Sequence, residues 1–328
     1  MTVAAPARPM GEAQEILAVP RRSLWQDALE RLLRNKAAIA GLVVIAVFVL
    51  LAIFANGLAP RNPLEQNSGK GHLPAVFVGE FQGKQPDARF FFGTDFLGRD
   101  VLSRLIYGAR VSIFVGFLPT IIILLIGVVL GLVAGYMGGR VDNLLMRFTD
   151  IFYAFPDLLF FIIIIIALKD TPLGGWLSGL FLLFIAFAIT NWVGVARLVR
   201  GSVLSLKEKE FVEAARAIGA SNGRIIFRHI LPNALSPLIV WTAFSIPRLI
   251  ITEAILGYLG LGLRPATDPN SFFISSWGSL LLDGRGAINA QPWLLLAPAI
   301  SVALIVLAFT FVGDGLRDAL DPRLRGTQ

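Results

Sequence analysis

Six long apolar runs constrain the fold of this chain more strongly than any other feature of its sequence. The first covers residues 37–58, about 22 residues or roughly 33 Å of helix, which is long enough to cross a bilayer. The others cover residues 111–136, 149–168, 177–199, 233–256 and 293–316. Because hydrocarbon cannot satisfy exposed backbone polar groups, we expect each run to form a helix. The pattern predicts an all-α membrane protein with six transmembrane helices.

Composition supports a membrane location and excludes several kinds of site. Of the 328 residues, 55% are hydrophobic and only 16% are charged, against about 25% charged residues in soluble domains. The chain has no cysteine, which excludes disulfides, thiolate metal sites and cysteine nucleophiles. The two histidines, His72 and His229, are too far apart in sequence for a His-based zinc site. We therefore expect no metal and no cofactor in this chain.

The spans divide the chain into tails, loops and a membrane core. We predict a tail with an interfacial amphipathic helix at 1–36, a first transmembrane helix at 37–58, a loop at 59–110, a five-helix core at 111–316 that contains a polar loop at 200–232, and a second tail at 317–328. An even number of spans places both tails on one side of the membrane.

The distribution of basic residues predicts which side that is. Of the 29 Lys and Arg residues, 18 fall on the side of the tails, 10 fall on the other side, and Arg248 lies inside a span. Lys and Arg accumulate in cytoplasmic loops. We therefore expect both termini and the 200–232 loop in the cytoplasm, and the 59–110 loop outside it.

A polar, basic segment at 213–232 interrupts the membrane pattern. Four apolar residues, at the start of this segment and just before it, are spaced as one stripe of a short amphipathic helix: Phe211, Ala214, Ala215 and Ile218. Gly219 suits the left-handed position just past that helix. Ser221 can cap a second short helix, which Pro232 ends or kinks. Two short helices around a glycine turn form a compact knob, small enough to fit a groove on another protein.

The same segment resembles the EAA loop of bacterial ABC-importer permeases. The matching positions are Glu213, Ala214, Ala215, Gly219, Leu231 and Pro232. The resemblance implies that this loop docks into an ATPase subunit and passes its motion to the membrane helices. His229 stands where the family pattern usually has an aliphatic residue. The alternative is an ordinary amphipathic surface helix.

A second motif lies at the end of the 59–110 loop. The run GTDxxGRDxxSRxxYGxRxS, which starts at Gly93, closely resembles the segment before the second span in C-type permease subunits of dipeptide, oligopeptide and nickel importers. Its charged residues can form a salt-bridged collar at the membrane surface: Asp95, Arg99, Asp100 and Arg104. We favour this structural collar over a substrate site, and a solvated loop with weak surface ion pairs is the alternative.

Two spans carry residues that predict their packing and shape. Gly127, Gly131 and Gly135 form a GxxxGxxxG face in the second span, which favours close packing against another helix. Pro156 and Asp157 interrupt the third span, and we expect Asp157 near its cytoplasmic end.

Polar side chains inside the spans are candidates for lining a translocation path, because they are costly in lipid. Glu253 is the strongest, since a carboxylate at this depth needs a partner or a water-filled path. Arg248 lies on the same helix about 140° around it, so the two side chains meet different neighbours. Asn191, next to Thr190, can hydrogen-bond across helices. A buried structural acceptor is the alternative for Glu253, and a packing role is the alternative for Asn191.

Neither a phosphate-binding loop nor a zinc-protease motif is found in the sequence. Gly69-Lys70 and Gly83-Lys84 lack the rest of a phosphate-binding loop, and HExxH does not occur. We therefore expect a subunit that is not an enzyme and does not hydrolyse ATP.

Taken from 24 to 325, the chain resembles the C-type permease subunit of a dipeptide, oligopeptide or nickel ABC importer. The resemblance implies a type I importer fold in a bacterial or archaeal plasma membrane. It also implies partners: a homologous B-type permease subunit, two ABC ATPase subunits that hold ATP and Mg, and an extracytoplasmic substrate-binding protein, with no nucleic acid. The alternatives are an ion-coupled secondary transporter, a nickel or oligosaccharide permease of the same fold, a membrane scaffold, or an intramembrane hydrolase.

Overall fold

The computed structural model describes residues 24–268 and 271–321, and within them the regular structure is helical, without strands. The main helices are α1 Leu24–Arg34, α2 Lys36–Ile53, α3 Val101–Met137, α4 Gly139–Tyr153, α5 Asp157–Leu168, α6 Leu180–Leu206, α7 Glu210–Ala217, α8 Leu231–Tyr258, α9 Trp277–Gly286 and α10 Pro292–Leu320. Shorter helical turns occupy Ala55–Leu58, Pro172–Gly175, Trp176–Gly179, Asn222–Ile225 and Ile226–Ile230. Most of the two predicted tails lies outside the described residues.

Five helical segments are long and apolar enough to cross a membrane by themselves. They are Lys36–Ile53, Val101–Met137, Pro172–Leu206, Asn222–Tyr258 and Pro292–Leu320. A sixth crossing is available if α4 and α5, which meet at an angle of 79°, form one broken span. The predicted all-α membrane fold is therefore confirmed, and the third of the predicted spans is a bent pair of helices.

The bend in the third span follows from Pro156. Proline has no amide hydrogen, and it disfavours helical geometry in the residue before it, so α4 ends at Tyr153 and α5 starts at Asp157. The helical region also begins earlier than residue 149, at Gly139. A hydropathy criterion missed this first part because α4 is amphipathic and contains Asp142, whose carboxylate accepts hydrogen bonds from Arg200 on α6.

The second span is longer than its apolar run. α3 begins at Val101, where the Asp100 side chain caps it by accepting from the Ser103 amide, so the predicted 59–110 loop ends about ten residues early. The predicted start of this span is too late because hydropathy assigns Arg110 to the loop on account of its charge, whereas it is buried in the structure. Its guanidinium donates to the Ala52 carbonyl in the last turn of α2, 2.9 Å away, and lies over the Phe272 ring. A helix C-terminus attracts a cation, so the end of α2 stabilises the buried guanidinium of Arg110.

The glycine face of α3 packs against α6, as the GxxxGxxxG spacing predicted. A Cβ built on Gly127 would lie 2.4 Å from the Val195 side chain, and one on Gly131 would lie 2.6 Å from the Ala196 carbonyl oxygen. Gly135 meets Val203 in the same way. Any side chain on these three positions would force the helices apart, so this pair forms the tight centre of the core.

The first and last spans pack together beside that centre. A Cβ on Gly41 of α2 would lie 2.5 Å from the Ala308 carbonyl oxygen of α10, and Gly315 approaches Ala38 equally closely. α1 contributes Leu32 to the same junction, where it packs with Ala319. This arrangement joins the amphipathic N-terminal helix to the end of the last span.

Candidate functional site

The 213–232 segment folds into the predicted knob of two short helices. α7 ends near Ala217, and Gly219 follows with φ +78°, the left-handed conformation that favours glycine. The Ser221 hydroxyl then accepts from the Arg224 amide at 3.4 Å and caps the turn Asn222–Ile225. The capping residue and the turn glycine are those that the sequence indicated.

The apolar stripe of the knob faces away from the chain, which the sequence did not reveal. Of its four predicted members only Ala215 is buried, and Val212 provides the other inward contact of α7. Phe211 is 41% exposed, Ile218 is 85% exposed, and Phe227 on the second helical part is 68% exposed. The knob therefore presents an unfilled apolar face, defined here as Phe211, Ile218 and Phe227.

The knob is continuous with the span that follows it. Ile226–Ile230 forms a π-helical turn that runs directly into α8, so Pro232 neither ends the helix nor breaks it. Proline lacks the amide that a regular helix would use here, and the wider turn accommodates this. The Asn233 side chain donates to the His229 carbonyl oxygen at 2.6 Å within the same turn.

The knob also touches the central helix α3. The Tyr136 hydroxyl donates to the Asn222 side chain at 2.8 Å. Lys207, which precedes the knob, donates to the Gly135 carbonyl at 3.3 Å. The knob is therefore joined to α8 through the backbone and to α3 through the bond between Tyr136 and Asn222.

The predicted collar of charged residues forms at the opposite end of α3, except that Asp283 takes the place of Asp100. Asp95 is fully buried and pairs with Arg99 Nε at 2.7 Å and with Arg104 Nη1 at 2.5 Å. Asp283 on α9 completes the network through Arg104 Nη1 at 2.8 Å. Sequence reasoning missed Asp283, because it lies far along the chain in a helix without a distinctive motif.

Asp100 does not belong to the ion-pair network among the described residues. It accepts from the Ser103 amide and hydroxyl as the cap of α3, while its Oδ1 atom is buried without a partner in the described chain. Burial raises the pKa of the Asp100 carboxyl above its ordinary value, and the bonds from Ser103 oppose this.

A cavity of about 420 Å³ opens beside the collar. Arg99, Arg104 and Asp283 line it on one side, and Gly257 and Gly262, near the end of α8, line it on the other. Its wall is mixed, with apolar side chains such as Leu263 between the charged groups. The cavity could admit a small polar molecule at this end of the membrane helices.

Glu253 lies directly behind the glycine wall of this cavity. Its side chain is fully buried, and a Cβ on Gly278 would lie only 3.1 Å from its Oε1 atom. The Ser276 hydroxyl is nearby. Even so, neither carboxyl oxygen has a hydrogen-bond partner within the described residues. A buried carboxyl without a partner is costly, so Glu253 stays a candidate for lining a path.

The other two path candidates make different contacts. Arg248 Nη2 pairs with Asp157 Oδ2 at 2.7 Å, which joins α8 to α5. Asn191 bonds within its own helix, to the Phe187 carbonyl and the Thr190 hydroxyl, both at 3.1 Å, so the expected bond to another helix is not formed within the described chain. Within residues 24–268 and 271–321, no hydrogen bond or ion pair joins Glu253, Arg248 and Asn191 to one another.

Sequence comparisons match the two parts of the chain to related families. The family described as binding-protein-dependent transport system inner membrane component matches residues 127–326. The family described as the N-terminal TM domain of oligopeptide transport permease C matches residues 23–75.

Individual relatives align over nearly their whole length. The oligopeptide transport system permease protein OppC of Bacillus subtilis (strain 168) is 42% identical over 96% of this chain and 94% of its own. The dipeptide transport system permease protein DppC of Alkalihalophilus pseudofirmus is 42% identical over 92% of this chain and 91% of its own. A structure of the MetNI methionine ABC transporter in inward-facing conformations matches with a TM-score of 0.52 at 19% identity, covering 66% of this chain and 96% of that one. This last similarity concerns the fold alone.

Proposed function

Because this chain belongs to the family of binding-protein-dependent transport system inner membrane components, we propose that it is the permease subunit of an ATP-driven importer of dipeptides or oligopeptides. The names of its relatives support the peptide as substrate class. The unfilled apolar face of the knob is the single structural observation on which the proposed coupling to an ATPase rests. A transporter subunit without a phosphate-binding loop needs a partner that hydrolyses ATP, and this face offers a surface for that partner.

The knob docks into a groove on an ATPase subunit. Ile218 and Phe227 project from a compact helical turn and are the most exposed members of its apolar face. Large apolar side chains of this kind act as anchors when they fill a pocket on a partner. The six motif positions surround them: Glu213, Ala214, Ala215, Gly219, Leu231 and Pro232. Glu213 is exposed and free to contact the rim of the groove.

Motion of the knob reaches the membrane through the contacts described above. The continuous helical path from Asn222 to α8 moves that span directly, while Tyr136 and Lys207 couple the same motion to α3. α8 also carries Arg248 and Glu253. Closure of the ATPases on ATP and Mg therefore shifts the helix that holds both charged path candidates.

Glu253, Arg248 and Asn191 line the translocation path in a state where α8 has moved away from its neighbours. A peptide carries an ammonium at one end and a carboxylate at the other, and Glu253 and Arg248 have the complementary charges. Gly257 packs against Gly278 so closely that a Cβ would lie 2.6 Å from the Gly278 Cα atom. Separation of this glycine contact opens Glu253 to the cavity beside the collar.

The remaining subunits follow from the family. A homologous B-type permease completes the membrane path, two ABC ATPases bind the knobs, and an extracytoplasmic binding protein delivers the peptide. Both termini and the knob lie in the cytoplasm of a bacterial or archaeal cell, as the excess of basic residues on that side indicates. The collar of Asp95, Arg99 and Arg104, together with the capping Asp100, then lies on the extracytoplasmic side and holds the start of α3 in place.

The test substitutes the exposed apolar face and measures both docking and transport. Ile218→Asp and Phe227→Asp change side chains that contribute little to the fold of this chain, so the variants should insert normally. We expect them to lose co-purifying ATPase subunits and peptide uptake in proteoliposomes. Glu208→Gln, an exposed charge change in the same segment, is the matched control and should behave as the wild type.

Each result identifies a different failure. If the inserted wild-type chain never retains an ATPase and transport does not depend on ATP, the importer proposal fails and an ion-coupled secondary transporter takes its place. If the wild type retains its ATPases and both variants do so equally, the importer stands and the docking face is wrong. Uptake of nickel chelates or oligosaccharides instead of peptides would overturn the substrate class only.

A further inference from the structure

The loop between the first two spans carries an exposed aromatic patch that the transport proposal does not use. Its members are Val76, Phe77, Val78 and Phe91, which are 37%, 57%, 38% and 51% exposed. The aromatic ring of Phe92 supports the patch from behind. Exposed apolar clusters of this kind mark surfaces that contact a partner or a membrane.

The patch is a built surface and not a set of isolated side chains. The Phe77 ring lies 5.9 Å from that of Phe91 and 5.4 Å from that of Phe92, and the last two lie 5.5 Å apart, all at steep angles. The Val76 amide donates to the Phe91 carbonyl at 3.0 Å, which ties the two stretches of chain together. Edge-to-face clusters hold their rings in fixed positions.

Contacts with α10 fix the height of the patch relative to the membrane. Phe92 packs against the cluster that contains Leu294, in the first turn of that helix. The loop is fastened at the same level by Gln291, which donates to the Leu73 carbonyl at 2.7 Å, and by Phe81, whose ring lies 5.3 Å from that of Trp293. Residues 293–313 contain no charged side chain, and about 20 such residues span the roughly 30 Å hydrocarbon core. The patch therefore lies at one boundary of that core.

The patch also continues an exposed apolar surface of α10. Leu296 and Ile300 are 54% and 55% exposed, and Trp293, on the same face by its i, i+3, i+7 spacing, is buried beneath Phe81. Phe81 covers Trp293 at the N-terminal end of this face, and the chain from Val76 to Phe81 continues the apolar surface beyond that end. Aromatic side chains collect at this depth, where the ring is partly in contact with acyl chains and partly with headgroups.

We propose that the aromatic patch is an interfacial anchor that inserts Phe77 and Phe91 into the headgroup region of the bilayer. The Arg89 side chain, near Phe91 in sequence, is 58% exposed although it pairs with Asp87 at 2.6 Å. The anchor would hold the loop flat on the membrane and keep the entrance to the collar cavity in a fixed position. This inference concerns the membrane surface and does not depend on which solute is carried.

Single-cysteine labelling tests the anchor directly, because the chain has no cysteine of its own. Phe77→Cys and Phe91→Cys variants of the full-length chain carry a nitroxide label in lipid nanodiscs. The measurement compares collisions of the label with oxygen, which dissolves in lipid, and with a water-soluble nickel chelate. Leu296→Cys, on the lipid-facing stripe, gives the reference for lipid. Phe96→Cys, 54% exposed in the same loop and next to the collar cavity, gives the matched reference for water.

We expect labels at 77 and 91 to shift toward oxygen, between the two references and closer to Leu296→Cys. Labels that collide with nickel as often as the label at 96 would overturn the anchor and leave a solvent-exposed patch. Labels shielded from both reagents would also overturn it, because another part of this chain or a second copy of it must then cover the patch. Normal elution of each variant on size exclusion ensures that these outcomes describe the folded chain, and none of them bears on ATPase docking.

Discussion

Replacement of Asp95 by asparagine is the sharpest test of the collar. The carboxylate accepts four hydrogen bonds in a fully buried position. Its Oδ1 atom accepts from the amides of Leu97 at 2.9 Å and Arg99 at 3.0 Å, and its Oδ2 atom accepts from the side chains of Arg99 at 2.7 Å and Arg104 at 2.5 Å. Asparagine keeps the shape and the Oδ1 bonds. It places an NH₂ donor against two guanidinium donors, so both charged bonds are lost.

The magnitude follows from burial. Removal of one partner from a buried ion pair typically costs about 3–5 kcal/mol, because the remaining charge stays desolvated. Arg104, only 7% exposed in its side chain, would keep Asp283 alone as a counter-charge. Since every 1.4 kcal/mol is about a tenfold change in an equilibrium constant, Asp95→Asn should lower the folding equilibrium constant by roughly two to three powers of ten or more.

The same loop provides a matched control in Asp87. Hydrogen bonds from Arg89, with a smaller effect of Lys70, hold the pKa of Asp87 well below its ordinary range, so its local geometry resembles that of Asp95. The Arg89 side chain is 58% exposed, however, and solvent screens a pair of this kind. Asp87→Asn should therefore leave the unfolding midpoint within the scatter of the wild type.

The assay is reversible unfolding of the purified chain in mixed micelles, followed by tryptophan fluorescence as denaturing detergent is added. Asp95→Asn should shift the midpoint strongly and Asp87→Asn should not. Equal midpoints for the two variants would refute the reasoning, because they would mean that the Asp95 network is as exposed to water as the Asp87 pair.

Three further predictions concern other parts of the fold. Gly131→Ala should lower the free energy of unfolding by about 1–3 kcal/mol through overpacking. Gly201→Ala, at an open helical position, should raise it by up to about 1 kcal/mol. Equal thermal midpoints for the two variants would contradict the close contact between α3 and α6. Burial raises the folded-state pKa of Asp100 above its unfolded value, so ionisation of this group opposes folding. The wild type should therefore lose stability relative to Asp100→Asn as pH rises from about 4 toward neutrality. A stability difference that does not change with pH would contradict this. Charge reversal at Arg248 or Asp157 alone should weaken the α5–α8 contact, and the double reversal should restore it with a coupling of roughly 0.2–1 kcal/mol in a double-mutant cycle.

Several features of the fold depend on short stretches of chain, and these could be predicted. A transmembrane span is recognised by its own apolar length, so the six runs appear as five helices and one bent pair. The break at Pro156 needs only the missing amide of that residue. Gly219 and Ser221 likewise specify the turn and the cap of the knob from their own backbone and side-chain chemistry. The family motifs are contiguous, which is why the resemblance could be found in one sequence.

Other features required the packed chain. α3 starts at Val101, and tertiary contacts bury Arg104 and Arg110 in its first turns. From hydropathy alone, both charged residues are predicted to lie in the loop outside the membrane. The exposed state of Ile218 could not be predicted either, since an amphipathic stripe looks the same whether it faces its own core or a partner.

The sequence by itself therefore determined the membrane spans, their order and the position of the knob, because these depend on local hydropathy and backbone chemistry. Tertiary structure alone decided which distant groups meet. It brought Asp283 to Arg104 and Asp157 to Arg248, and it placed Glu253 behind Gly278 without a hydrogen-bond partner in the described residues. Such pairings arise from the way helices pack across long separations in the chain, and no local pattern encodes the partner of a buried charge.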